Sequence, residues 1–164
     1  MALAMIGDAG YKIALFFHLI AVVVALGPTF GYGVMFSVLP KYPGAAPALI
    51  AGMRKVDRVL VNPGMILLLI AGVVVLATSG SVWKGSQFFV DWGFFAIIVL
   101  FAVQHGFFAP QMARLQEIAE RDLKDGDSFS PEFEATSQKI AQVGAATGFW
   151  IVLTVFIMAY KPFL

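Results

Sequence analysis

Residues 59–78 read VLVNPGMILLLIAGVVVLAT, an uncharged run that decides the fold. A helix rising 1.5 Å per residue crosses the roughly 30 Å hydrocarbon core of a bilayer in about 20 residues. The run has no alternation of polar and apolar positions, so it cannot be a strand of a closed barrel. A helix is then the only spanning structure that satisfies its own backbone hydrogen bonds. Working outward, three further stretches have the same character: Tyr11 to Leu39, Phe89 to Pro110 and Val143 to Tyr160. With 60% hydrophobic and 13% charged residues, the chain departs from the roughly half apolar and one-quarter charged soluble norm. The expected fold is all-α, an integral membrane four-transmembrane-helix bundle forming one domain over 1–164.

The opening, Met1 to Gly27, has the short polar start and apolar middle of a signal peptide. Its apolar run continues through Pro28, Thr29 and Phe30 to Leu39, and Asp8 weakens the basic start, so the first helix is expected to remain as a span. Lys41, Arg54, Lys55 and Arg58 lie between spans one and two, and Arg114, Arg121, Lys124 and Lys139 between spans three and four. Only Lys12, Lys84 and Lys161 fall on the other side. Because Lys and Arg in short loops favour the cytoplasm, both termini and the Gly80 to Asp91 loop are placed outside, with loops 40–58 and 111–142 cytoplasmic.

Beyond the third span, Met112 to Lys124 keeps a helical rhythm, with Leu115, Ile118 and Leu123 on one side. Pro110 is a candidate kink. Asp125-Gly126-Asp127-Ser128 reads as a turn, and Ser130-Pro131-Glu132 as a helix start with a Ser cap and Pro in the first position. Spans three and four thus form a long cytoplasmic helical hairpin. In the first cytoplasmic loop, Pro40, Pro43, Gly44 and Pro47 block a continuous helix before a short basic segment, Leu49 to Asp57, suited to an anionic leaflet. No repeat of 20 to 50 residues is visible.

The 11 basic and 10 acidic residues give no global attraction to nucleic acid. The absence of cysteine removes disulfides, thiolate metal sites and cysteine nucleophiles. No acid or base pair sits in a span, no phosphate-binding Gly-rich loop follows a strand, and no Ser or Thr nucleophile has a nearby His. The acids from Glu117 through Asp122, Asp125 and Asp127 to Glu134 lack the ligand spacing of a calcium loop and read as a solvated hairpin. A non-catalytic role is the expectation.

Polar residues inside spans are costly and face a bundle interior or a cavity. His18, Ala25, Thr29 and Tyr32 fall on one stripe of the first helix, and Gly27 and Gly31 form a GxxxG spacing beside Pro28. The stripe fits tight packing or a ligand groove. His18 is a candidate ligand for haem b, a proton carrier or a structural hydrogen-bonding group. His105 in the third span is a second candidate. A bis-histidine haem is opposed by depth: His18 lies about six residues from the outer boundary and His105 about fourteen, a difference of roughly 10 Å.

Asn62 is a cap for a helix opening at Pro63, or a donor across helices. Thr147 and Thr154 share a face of the fourth span near Gly144 and Gly148, and such threonines usually bond back to their own helix. Phe94, Phe95, Phe101, Phe107 and Phe108, with Trp83, Trp92 and Trp150, suit lipid contact, anchoring and packing.

Phe17-His18-Leu19, the basic Arg54-Lys55-Val56-Asp57-Arg58 and the Asn62-Pro63-Gly64 start of an apolar span together resemble the DUF2269 family of bacterial integral membrane proteins over most of the chain. This resemblance implies a four-helix protein of the inner membrane. More distantly, the first-span histidine is similar to that of the HemJ protoporphyrinogen oxidase family and of the CopD copper-resistance membrane domain. That likeness implies haem or copper at His18. The first span departs from both in having no tryptophan, no second histidine near His18 and no methionine cluster. Three functions follow as expectations: an accessory or homo-oligomerising membrane component that offers the hairpin and basic loop to a membrane protein partner, a haem-binding redox protein using His18, and a small transporter or channel along His18, Thr29 and Tyr32.

Overall fold

The computed structural model describes residues 9–80, 82–126 and 128–163. The polar start around Asp8 and the middle of the Asp125–Ser128 turn, at Asp127, lie outside the described residues. Among the described residues there are six α-helices: α1 (Ala9–Val38), α2 (Ala46–Val56), α3 (Asn62–Thr78), α4 (Phe88–Val103), α5 (Ala109–Asp125) and α6 (Pro131–Tyr160). Two π-turns, Asp57–Val61 and Gln104–Phe108, join α2 to α3 and α4 to α5 without interruption. The chain therefore has four helical rods long and apolar enough to cross a membrane. Large apolar side chains such as Val23, Ile70, Ile98 and Phe149 are exposed on them, as a lipid-facing surface requires.

The rods form a ring in which α1 packs on α3 and α6, and α4 packs on α6 and α3. The seam between α1 and α3 is antiparallel and follows the stripe of the first helix. His18 sits against Gly72, Ala25 against Gly64, and Tyr32 against Asp57. At Gly64 a Cβ would lie 2.9 Å from the Ala25 Cα, so only glycine allows the two backbones this close. Gly27 and Gly31 instead face open space: among the described residues a Cβ at either would meet nothing within 4 Å.

After α1 the continuous helix is broken, as the prolines require, with Tyr42 outside any helix. Pro40 and Pro43 lie in two short 3-10 turns, Leu39–Lys41 and Pro43–Ala45, and Pro47 lies in the first turn of α2. A proline there removes only an N–H that would have no intrahelical partner. The basic segment is thus the start of the second rod. Its Ala46, Ile50 and Met53 are fully buried with Met112, Leu115, Ile118 and Ala119 of α5 and Phe133 and Ile140 of α6. The segment belongs to a three-helix unit built on the hairpin, with Lys55 and Arg58 left exposed.

The hairpin itself is held by polar contacts. Ser130 caps α6 by accepting from the Phe133 N–H, and Pro131 follows at the first position. Arg114 and Arg121 bridge to Glu132 at 2.8 and 3.1 Å. Asp122 accepts from the Ser130 N–H at 2.7 Å, and Arg54 of α2 donates to Gln116 of α5 at 2.6 Å. At the opposite end, Trp83 donates to the Tyr11 hydroxyl at 3.1 Å while the Lys161 ammonium lies 3.8 Å from the Trp83 ring.

Candidate functional site

Proline cannot donate a backbone hydrogen bond, and two rods answer this in the same way. Asn62 donates to the Asp57 carbonyl and Ala109 to the Gln104 carbonyl, each closing a π-turn one residue before Pro63 or Pro110. Asn62 is therefore inside a rod, not a cap, and its Oδ1 is buried without a partner. The expected kink at Pro110 takes the form of the preceding π-turn. Such turns widen the helix by one residue and recur at functional sites. Here each opens with the polar residue that the interior receives: Asp57 is 8% exposed and Gln104 is 9% exposed.

Those two residues meet a third from α1. The Tyr32 hydroxyl donates to Asp57 Oδ1 at 2.7 Å, with the Met53 carbonyl at 3.2 Å. The Gln104 side chain lies beside the same carboxylate. The group lines a cavity of about 320 Å³ to which all four rods contribute. Its walls are chiefly apolar, with Phe36, Val61, Met65, Phe108, Met112 and Ile151 prominent. Gly33 and Gly144 line it with bare backbone, and a Cβ at either would meet nothing within 4 Å. The absence of side chains there is what leaves the space.

Among the residues expected to matter, Thr29, Tyr32 and Thr147 line this cavity. Thr29 donates to the Leu26 carbonyl at 2.6 Å and Thr147 to the Val143 carbonyl at 2.8 Å. Thr154 lies elsewhere, bonded to the Trp150 carbonyl and to Trp92. Trp92 and Trp150 are accordingly partners in the seam of α4 and α6, with ring centroids 5.0 Å apart.

The two histidines are not brought together. His18 packs in the α1–α3 seam, where Gly72 leaves room for its ring, and its Nδ1 is buried without a hydrogen-bond partner. His105 is exposed on the outer face of its π-turn, stacked on Phe101 with Nδ1 3.0 Å from the Phe101 carbonyl. Neither lines the cavity. Among the described residues no group of three or more His, Cys, Asp or Glu is placed to hold a metal ion.

Sequence reasoning assigned Asp57 to a basic surface segment and passed over Gln104. A signal for both was present: in each rod a polar residue precedes a proline by six positions, Asp57 before Pro63 and Gln104 before Pro110. No protein-family model matches the chain, and no curated protein or solved structure is significantly similar to it.

Proposed function

We propose that this chain is a non-catalytic, multi-pass component of the cell membrane that holds a small, mostly apolar molecule inside its ring of helices. The cavity carries this reading. Its volume of about 320 Å³ stands at the lower end of the range of ligand pockets, and such pockets combine apolar walls with a few convergent polar groups. Tyr32, Asp57 and Gln104 supply those polar groups. The distribution of Lys and Arg favours an orientation with both termini outside and these groups in the cytoplasmic half. The three-helix unit of α2, α5 and the start of α6 then lies in the cytoplasm as a surface for a partner. A haem ligand at His18 has less support, because His18 lies in a packed seam outside the cavity. A transport path along the first helix has the same weakness: Thr29 and Tyr32 reach the cavity and His18 does not.

The test uses the fluorescence of aminoanthracene, a small neutral aromatic, with protein reconstituted in lipid nanodiscs. A saturable emission above that of empty nanodiscs is expected. Gly144→Leu fills the space without a clash at Cβ and should abolish the signal while leaving the helical circular dichroism unchanged. Equal saturable emission from the folded variant, or none from the wild type, overturns the reading.

A further inference from the structure

The cavity also carries a statement about the chemistry of its occupant, which rests on the proposed function. Among its wall residues Asp57 is the one charged group, and no Lys, Arg or His is present. The hydrogen-bond donors around it are largely committed. Thr29 and Thr147 give their protons to their own helices, Tyr32 gives its proton to Asp57, and the Gln104 amide lies beside the same carboxylate. What remains for a guest, apart from the amide N–H groups of Gln104, is acceptor capacity: the lone pairs of two threonine oxygens, the Gln104 carbonyl and the Asp57 carboxylate. An anionic headgroup would find almost no donors. A neutral carbonyl would find few more.

A carboxylate taken out of water demands hydrogen bonds and a counter-charge. Asp57 receives the first from Tyr32. Among the described residues it has no ion pair, since the salt bridges run between Arg114, Arg121, Asp122 and Glu132 of the hairpin. Of the guanidiniums that flank it in the chain, Arg54 donates to Gln116 and Arg58 is exposed without an ion pair to Asp57. Phe36, Phe108 and Tyr32 add aromatic faces to the wall, and such faces attract cations.

We propose that the occupant is a small lipophilic ammonium compound, seated with its N–H donors on Asp57 and its apolar part among Phe36, Phe108 and Met112. The ammonium supplies both the missing charge and the missing donors. The probes are phenethylamine and its near-isosteric alcohol, phenethyl alcohol, each measured by equilibrium dialysis against protein in nanodiscs of zwitterionic lipid, with empty nanodiscs subtracted. The wild type should hold the amine roughly tenfold more tightly than the alcohol, the scale of one charge-assisted hydrogen bond. Asp57→Asn should remove that preference while retaining the alcohol, and Gly144→Leu should remove both. Equal affinity of the wild type for amine and alcohol overturns the ammonium assignment without recourse to any variant and leaves the cavity reading standing. A preference that persists in Asp57→Asn overturns it equally. Binding of neither probe above empty nanodiscs overturns the assignment and the cavity reading together.

Discussion

His18 and Asp57 lie on the same antiparallel seam between the first two rods, yet their surroundings differ in kind. His18 is wedged beside Gly72, half-buried, with a ring nitrogen that has no partner. Asp57 is almost wholly buried, receives the Tyr32 hydroxyl beside Gln104, and opens onto a cavity. The residue conspicuous in the sequence occupies a packed joint, and the inconspicuous one occupies the centre. The difference lies in the helix geometry around each. At His18 the two rods are regular and close. At Asp57 a π-turn shifts the helical register, and the carboxylate is turned inward.

The comparison is broken most directly at Gly64, which lies between the two regions. Gly64→Leu drives a side chain into the Ala25 backbone and should cost about 3 kcal/mol, the upper end of overpacking. Reversible unfolding on titrating SDS into a mild detergent measures it. Loss of less than a third of that would mean that the seam is not locked there. Tyr32→Phe leaves Asp57 short of one donor and should cost about 1 kcal/mol by the same titration. If it costs no more than His18→Ala, the interior is not the better organised of the two.

A third prediction concerns the hairpin that holds α2 and so fixes Asp57. Hydrogen bonds from Ser130 hold the Asp122 carboxyl below its usual range, and Arg114 and then Arg121 do the same for Glu132. A carboxyl lowered in the folded state contributes stability above its unfolded value and loses it as pH falls through the lowered folded value. The protection of α5 and the start of α6 against hydrogen exchange, corrected for the intrinsic pH dependence of the exchange rate, should therefore fall on acidification below the ordinary carboxylate range. In Asp122→Asn this acid response should shrink, and an unchanged profile would count against the linkage. The smallest effect is expected of His18→Ala, which should leave saturable aminoanthracene emission unaltered. A Soret band in protein from haem-replete cells that disappears in this variant would reverse the ranking and move the functional site to the seam.

The sequence by itself determined the four apolar rods, the cap at Ser130-Pro131 and the hairpin, because each depends on runs and local signals that act within a few residues. It also placed His18, Ala25, Thr29 and Tyr32 on one stripe, a consequence of helical periodicity alone. The tertiary structure decided what that stripe meets. Residues 57 and 104 are 47 positions apart in the chain, and Asp57 looks like the edge of an apolar run and Gln104 like an isolated polar residue inside one. Only the ring of rods brings them to one point, and only the π-turns before Pro63 and Pro110 aim them inward. The cavity likewise depends on side chains that are missing at Gly33 and Gly144, and a composition cannot distinguish a glycine that admits another helix, as Gly64 does, from one that leaves space. That choice is made by the partner across the bundle, which is a property of the fold and not of any segment.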